Sequence, residues 1–513
     1  MSFWTLAEQD ASRLALVEPE GREVSAGELF EESNRLAHGL RGQGLKRDSV
    51  VAALLPNGAE FVELYLACLQ SGWRLTPINY HLTAEEIGYI IKDCEAEAFV
   101  CSERYGEAGR QAADGIGFPE QARFAVGTIE GFRPYAELKE GQPGTRPEER
   151  APGGVMNYTA GTTGKPKGVR RDTVDLDVDI VADMHAAFLM LFSIEPNKDN
   201  VHLVVSPLYH TAVLTFASDS LHMGHPVVLM DKWTPEGTLE RIERYKVTTS
   251  HMVPTQFHRL LALPEEARSK AAVSSLRHIV HSAAPCPVDV KRRMLEWWGP
   301  VIYEYYAATE GGGTLATPEE WKQKPGTVGK PWPISEIRIL DDDGKPVSPN
   351  EPGTVWIKMA DYTFEYYKDK AKTEESWSEG FFTVGDVGYL DEDGFLFLAD
   401  RKADMIISGG VNIYPAEIEA VLLTHSDIAD AAVFGIPNED WGEEVKAAIE
   451  LRDKGRAGPE MEEKLLAFTA EHAAKYKVPR SIDFVDEMPR DPNGKLYKRV
   501  LRDPYWKGRE RAI

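Results

Sequence analysis

The chain has 513 residues, 42% hydrophobic and 27% charged, with 58 basic against 82 acidic side chains for a net charge of −24. That length calls for roughly two to four structural units rather than one core. The acidity argues against bulk nucleic-acid binding and against docking on anionic lipid, and apolar residues spread along the whole chain exclude a disordered polypeptide.

MSFWTLAEQD at the N-terminus has no apolar signal core. Residues 26–42 place Leu29, Phe30, Ser33, Leu36, Ala37 and Leu40 on one face, which predicts a helix stopped by Gly42 and Gly44. SVVAALLP (49–56) reads as a buried strand, 58–72 as the following helix and WRLTPIN (73–79) as the next strand. EEIGYIIKDC then reads as helix and EAFVCS as strand, so the alternation predicts parallel α/β layers. Cys68, Cys94, Cys101 and Cys286 make no CxxC pair and are read as reduced, mostly buried thiols of a cytoplasmic enzyme.

Residues 136–153, rich in Pro, Gly and Glu, read as a surface connection. The longest apolar run, AAFLMLFSI (186–194), is half the ~20 residues of a membrane span, so no integral membrane segment is expected. Turn signals in DDDGKPVSPNEPG (341–353) place a β-rich region at 326–400. A boundary is expected near residue 402. After it, PAEIEAVLLTH and MEEKLLAFTAEHAA read as helices, and IADAAVFGIP, EVKAAIEL and RSIDFVDEMP as strands. The expected class is α/β: a large N-terminal domain (1–401) of layered α/β subdomains plus a β-rich subdomain, with a small α+β C-terminal domain (402–513).

One stretch carries the chemistry. YTAGTTGKPKG (158–168) has the small residues, hydroxyls and lysines of a phosphate-holding loop. It is not a Walker loop: Thr159 stands where that pattern needs glycine, and Pro166 follows Gly164-Lys165 where it needs Ser or Thr. Alone, the loop reads equally well as a flexible surface turn.

Further motifs follow it: PLYHT (207–211), SAAP (282–285), YAATE (306–310), TVGDVGYLDEDG (383–394), DRKADMIISGGVNIYPAEIE (400–419) and PRDPNGKLYKR (489–499). In this order they resemble the adenylate-forming family of acyl-CoA synthetases, nonribosomal adenylation domains and beetle luciferases. The resemblance spans about residues 150 to 500, and the C-terminal stretch is most similar to bacterial fatty-acid-type ligases.

The resemblance implies a reaction in two halves. A carboxylate attacks the α-phosphate of ATP to give an acyl-adenylate and pyrophosphate, and a thiol, usually of coenzyme A, then displaces AMP. It implies that Lys495 bridges carboxylate and α-phosphate, that Thr309 donates to that phosphate, and that Glu310 helps hold magnesium. Thr159, Ala160, Gly161, Thr162, Thr163, Gly164 and Lys165 would hold the leaving phosphates. Tyr306 would stack on adenine, with Ser282, Ala283 and Ala284 opposite, and Glu304 could accept from the adenine amino group. Asp386 would hold the ribose hydroxyls, since a carboxylate accepts two hydrogen bonds, and Arg401 would contact ribose or phosphate. His210, Thr211, Val253, Tyr305 and Ala307 would border the acyl group, although His210 also reads as a packed structural histidine. Ser408, Gly409 and Gly410 would line the path of the CoA arm. The two halves imply a rotation of the small domain about a hinge at Lys402 or Ala403.

Three positions depart from the family pattern. Ala160 replaces a frequent serine, Ala307 a frequent glycine and Ala403 a frequent charged residue. The Ala307 methyl is expected to narrow the pocket floor against long straight chains. The sequence thus predicts an acyl-CoA synthetase for a lipophilic acid (medium-chain, branched, cyclic or aryl) using ATP, magnesium and CoA, with no nucleic-acid partner and room for a homodimer. A stand-alone enzyme that loads a carrier protein and a catalytically inactive nucleotide-binding homologue are the alternatives.

Overall fold

The computed structural model describes residues 2–507 apart from 160–165, 172–173, 197–198, 361–362, 402–403, 410 and 491–493. The first layer is a six-stranded, all-parallel sheet in the order Arg133–Pro134, Arg123–Val126, Ala98–Ser102, Val50–Leu54, Arg74–Pro77, Gly154–Val155. Its centre is buried on both faces, which is why Val50–Leu54 is an unbroken apolar run. The helix Ala26–Gly42 starts where Ser25 accepts from the Glu28 amide, and its buried face carries Leu29, Leu36, Ala37 and Leu40. The helix Ala84–Asp93 begins with a reciprocal Thr83–Glu86 capping box. The connection expected at 136–153 is less superficial than its composition suggests. Leu138 is buried, and a Cβ on Gly39 would stand 1.7 Å from the Leu138 carbonyl oxygen, so only glycine fits where this turn crosses the helix.

The second layer is a nine-stranded sheet in the order Lys330–Pro331, Gly311–Ala316, Ile302–Ala308, His278–His281, Thr249–Met252, His202–Val204, Val227–Leu229, Leu14–Val17, Glu23–Ser25. The strands at 202–204, 249–252, 278–281 and 302–308 run parallel. Their carboxyl ends therefore open onto one edge, where Pro207–His210, Val253–Thr255, Ser282–Ala284 and Thr309–Glu310 follow. Open α/β sheets bind their ligands at such an edge.

Two antiparallel sheets complete the large domain. One joins Asn157–Thr159, Lys167–Arg171 and Phe364–Tyr366. The other contains Ser335–Leu340, Gly353–Met359, Asp386–Leu390 and Leu396–Arg401.

The C-terminal domain has its own apolar core, with Ile406, Ile418, Leu422, Val433, Ile449 and Leu465 fully buried. A long hairpin, Ile428–Asn438 with Gly442–Leu451, is covered by the helices Pro415–Leu422 and Pro459–His472. The short hairpin Ile406–Ser408 with Val411–Ile413 and the helix Lys498–Trp506 are additions to the expected elements. All four cysteines are free, and burial pushes the Cys94 and Cys101 thiols up to about 12. Among the described residues no helix is long and apolar enough to cross a membrane.

Candidate active site

The motif-bearing loops meet around a cavity of about 1700 Å³ at the carboxyl edge of the nine-stranded sheet. His210, Thr211, Ser282, Ala283, Ala284, Glu304, Tyr305, Tyr306, Ala307, Thr309, Glu310, Asp386 and Lys495 all line it. Sites nearly 300 residues apart in sequence thus share one wall, and Lys495 reaches it from the C-terminal domain.

The order of the polar groups follows from the strand ends. Thr309 and Glu310 leave the strand Ile302–Ala308, and the Arg171 guanidinium donates to the Thr309 carbonyl. The Tyr366 hydroxyl donates to Glu310 Oε1 at 2.8 Å, and burial together with that carboxylate keeps the phenol protonated. Lys167 lies nearby, paired with Asp369 at 2.8 Å. On the other side the Tyr306 hydroxyl donates to Asp386 Oδ2 at 2.7 Å, which fixes the ring and the carboxylate relative to each other. Ala283 has φ of +73°, a left-handed backbone that costs a residue with a Cβ about 1 kcal/mol. The strained turn sets the small side chains of 283–284 at the cavity wall, while Ser282 Oγ is 2.9 Å from His251 Nε2. Burial, then the neighbouring histidines, drives His251 well below its ordinary range, so it is neutral.

Glu304 lines the cavity and is held there from behind. Its carboxylate sits 2.7 Å from the Lys291 ammonium and 3.4 Å from His281 Nε2, all three buried. Burial alone would raise this carboxyl; Lys291 and His281 overcome it and hold Glu304 down at about 2. The pairing runs through Oε2 and fixes the carboxylate at the cavity wall beneath the 282–284 turn. Val253 differs from its expected place: it is buried at the start of the helix Pro254–Leu261, and Pro254 and Thr255 are what line the cavity.

Lys495 is presented by a stapled turn. Arg490 forks onto Asp430 at 2.6 and 2.9 Å and donates a third bond, 2.6 Å, to the Gly494 carbonyl. Gly494 is left-handed at φ +77°, and a Cβ there would lie 3.0 Å from Thr255 Oγ1 on the large domain. Glycine suits this turn on both counts, its left-handed backbone and the tight approach of Thr255. Arg452 Nη2, 3.1 Å from His258 Nε2, is a second contact across the two domains.

Ser408 and Gly409 are not in the cavity wall; they turn the short hairpin beside Trp441. Ala160, Gly161, Thr162, Thr163, Gly164, Lys165, Lys402, Ala403 and Gly410 lie outside the described residues, as do the side chains of Thr159 and Arg401. Sequence reasoning did not single out Arg171, Lys291, Arg490 or Asp430. Only Arg490 had a visible signal, its place in PRDPNGK. Among the described residues no three His, Cys, Asp or Glu gather as a metal cage. A divalent cation would therefore rely on Glu310 with phosphate and water oxygens, a set that suits magnesium.

Comparison with known proteins bears on this geometry. Residues 3–367 match the model of the AMP-binding enzyme family, and residues 417–495 match that of the AMP-binding enzyme C-terminal domain. A 2-succinylbenzoate–CoA ligase of Geobacillus kaustophilus is 35% identical over 497 residues, 95% of this chain and 96% of that protein. A fatty acid–[acyl-carrier-protein] ligase of Streptomyces coeruleorubidus is 29% identical over 511 residues, 96% of this chain and 94% of that protein. The solved structure of o-succinylbenzoate CoA synthetase from Bacillus subtilis, in complex with the acyl-adenylate intermediate OSB-AMP, superposes with a TM-score of 0.81. Its identity is 29%, and 98% of each chain is covered.

Proposed function

This chain belongs to the AMP-binding enzyme family, and from that premise we propose that it is an ATP-dependent acyl-CoA synthetase acting on a lipophilic carboxylic acid. The acid's carboxylate attacks the α-phosphate and pyrophosphate leaves; the CoA thiol then attacks the acyl carbon, AMP leaves, and the thiol proton passes to solvent. The observation that carries the reading is one cavity lined together by Lys495, Thr309, Glu310 and Asp386.

The first half-reaction brings two anions together, so cationic and hydrogen-bonding groups must be in place beforehand. Lys495 supplies charge between them, and Thr309 a hydroxyl. Glu310, oriented by Tyr366, would hold magnesium, which neutralises phosphate charge when bound. Asp386, oriented by Tyr306, would take the ribose hydroxyls. The loop 159–165 would hold the leaving phosphates, and Arg401 would add a contact to ribose or phosphate.

Phe188, Leu191, Trp332, Ile334 and Met359 give one part of the cavity wall an apolar character that suits a lipophilic acyl group. His210 and Thr211 stand where that group would meet the nucleotide, and Ala307 would limit its length. Lys495 is in the cavity while Ser408 and Gly409 are outside it, which is the arrangement the adenylating half requires. The CoA half would follow when residues 402–513 rotate about Lys402–Ala403 relative to 1–401, bringing 408–410 to the site.

The test is a panel of medium-chain, branched, cyclic and aryl acids assayed for AMP formation with and without CoA. AMP formed only with CoA supports the synthetase. AMP formed only with an acyl-carrier protein would assign the chain to carrier loading instead. No AMP or pyrophosphate with any acid would contradict both.

A further inference from the structure

The helix Thr211–His222 carries a feature that the adenylating chemistry does not use. Thr211, Thr215 and Asp219 follow one another at four-residue spacing, so they lie on one face, and all three line the cavity. Val181, Met184 and Phe188 line the same cavity from the segment 178–192. Eight residues of helix separate Asp219 from Thr211, an axial distance of about 12 Å. Asp219 therefore sits at the far end of the space in which Thr211 marks the carboxylate end.

Asp219 is only 3% exposed, and its Oδ2 has no hydrogen-bond partner. Among the described residues it makes no ion pair. Ser218 hydrogen-bonds the carboxylate, and Tyr65 beside it is a buried neutral phenol, so neither offers a compensating positive charge. Burial pushes the Asp219 carboxyl up to about 8. A buried acceptor without a donor is unfavourable in a finished core, yet this one borders a space large enough for a ligand to supply the donor.

We propose that Asp219 is the distal specificity determinant of the acyl pocket, receiving an O–H or N–H donor at the far end of an elongated acid. This rests on the synthetase reading above and narrows it: the preferred acid is lipophilic along its length and carries a terminal hydroxyl or amino group. A pocket built to receive a donor discriminates against the analogue that lacks it, because the buried acceptor is then left unpaired.

The test measures kcat/KM for pyrophosphate release, with ATP and CoA, on matched acids: decanoate, ω-hydroxydecanoate and ω-aminodecanoate, and cinnamate with para-hydroxycinnamate. In the wild type the donor-bearing member of at least one set should be favoured by about ten- to a hundredfold. Asp219→Leu should bring that ratio close to one. Asp219→Asn keeps size and an acceptor but cannot ionise against an ammonium group. It should retain a hydroxyl preference and lose most of an amino preference, which preserves the test if the leucine variant does not fold. Equal use of plain and donor-bearing acids by the wild type, or a preference that survives in both variants, would overturn the assignment of Asp219 alone. No pyrophosphate from any of these acids would overturn the ligase reading beneath it.

Discussion

On the large-domain side of the site, Glu304 is fixed at the cavity wall by Lys291 and His281, which are fully buried behind it. On the small-domain side, Lys495 sits in a turn closed by a backbone bridge and tied down by the Arg490 fork, and the turn approaches its neighbour through a glycine. The first arrangement is part of the fold and cannot be altered without disturbing it. The second concentrates positioning in a few exchangeable contacts, as a part that must arrive and leave requires. The contrast predicts that damage to the first side appears in stability and in both half-reactions, whereas damage to the second appears in adenylation alone.

The largest effect should come from Lys495→Ala. Removing the cation between two anions should slow pyrophosphate release by ~10²–10³-fold or more, with thioester formation from supplied acyl-adenylate nearly intact. Equal loss in both halves would erase the contrast.

Next is Glu304→Ala, which strands Lys291 uncompensated in the core. A loss of about 3–5 kcal/mol is expected, read as a lower unfolding midpoint in denaturant. Acid titration sharpens this. Glu304 is held at about 2 against an ordinary 4.5, so its ionised form is favoured in the folded state. Its contribution is complete above pH 4.5 and is lost as pH falls through about 2. The Glu304→Gln variant should lack that acid-dependent component.

Arg490→Met, which frees the Gly494 carbonyl and leaves Asp430 alone, should lower the adenylation rate about tenfold through loss of positioning. Its effect on thioester formation should be small, and Arg490→Lys should restore only part of the rate because lysine cannot reproduce the fork. The smallest change is Tyr306→Phe. Losing one hydrogen bond to Asp386 should raise the KM for ATP by about three- to tenfold with little change in kcat.

Much of this was legible in sequence where local pattern and structure coincide. The helix over 26–42 and the buried strand within 49–56 carry their period and their stop signals in the chain itself, and so do the long hairpin and the helices Pro415–Leu422 and Pro459–His472 of the C-terminal domain. The cavity residues were legible through motifs, since Thr309, Glu310, Asp386 and Lys495 each sit in a recognisable run. What stayed hidden were pairings between residues distant in sequence. Nothing at Lys291 announces that a helix will turn it into the core against Glu304, and nothing at Asp430 announces Arg490. The motif places Glu304 at the cavity wall but says nothing of the buried lysine that fixes it there. Asp219 was hidden for another reason: within an apolar helix it has no motif, and only the cavity beside it gives it meaning. The hairpin at 406–413 escaped because Ser-Gly-Gly reads as loop until its partner strand is known.

The central claim, an adenylating centre whose product waits for a thiol, is tested most directly by following pyrophosphate and AMP separately in one sample. The enzyme is mixed with ATP, magnesium and an accepted acid, and CoA is added later. The account predicts a burst of pyrophosphate about equal to the enzyme present, AMP retained until CoA arrives, and multiple turnovers of both thereafter. Steady AMP release without CoA, or ADP in place of AMP, would contradict it.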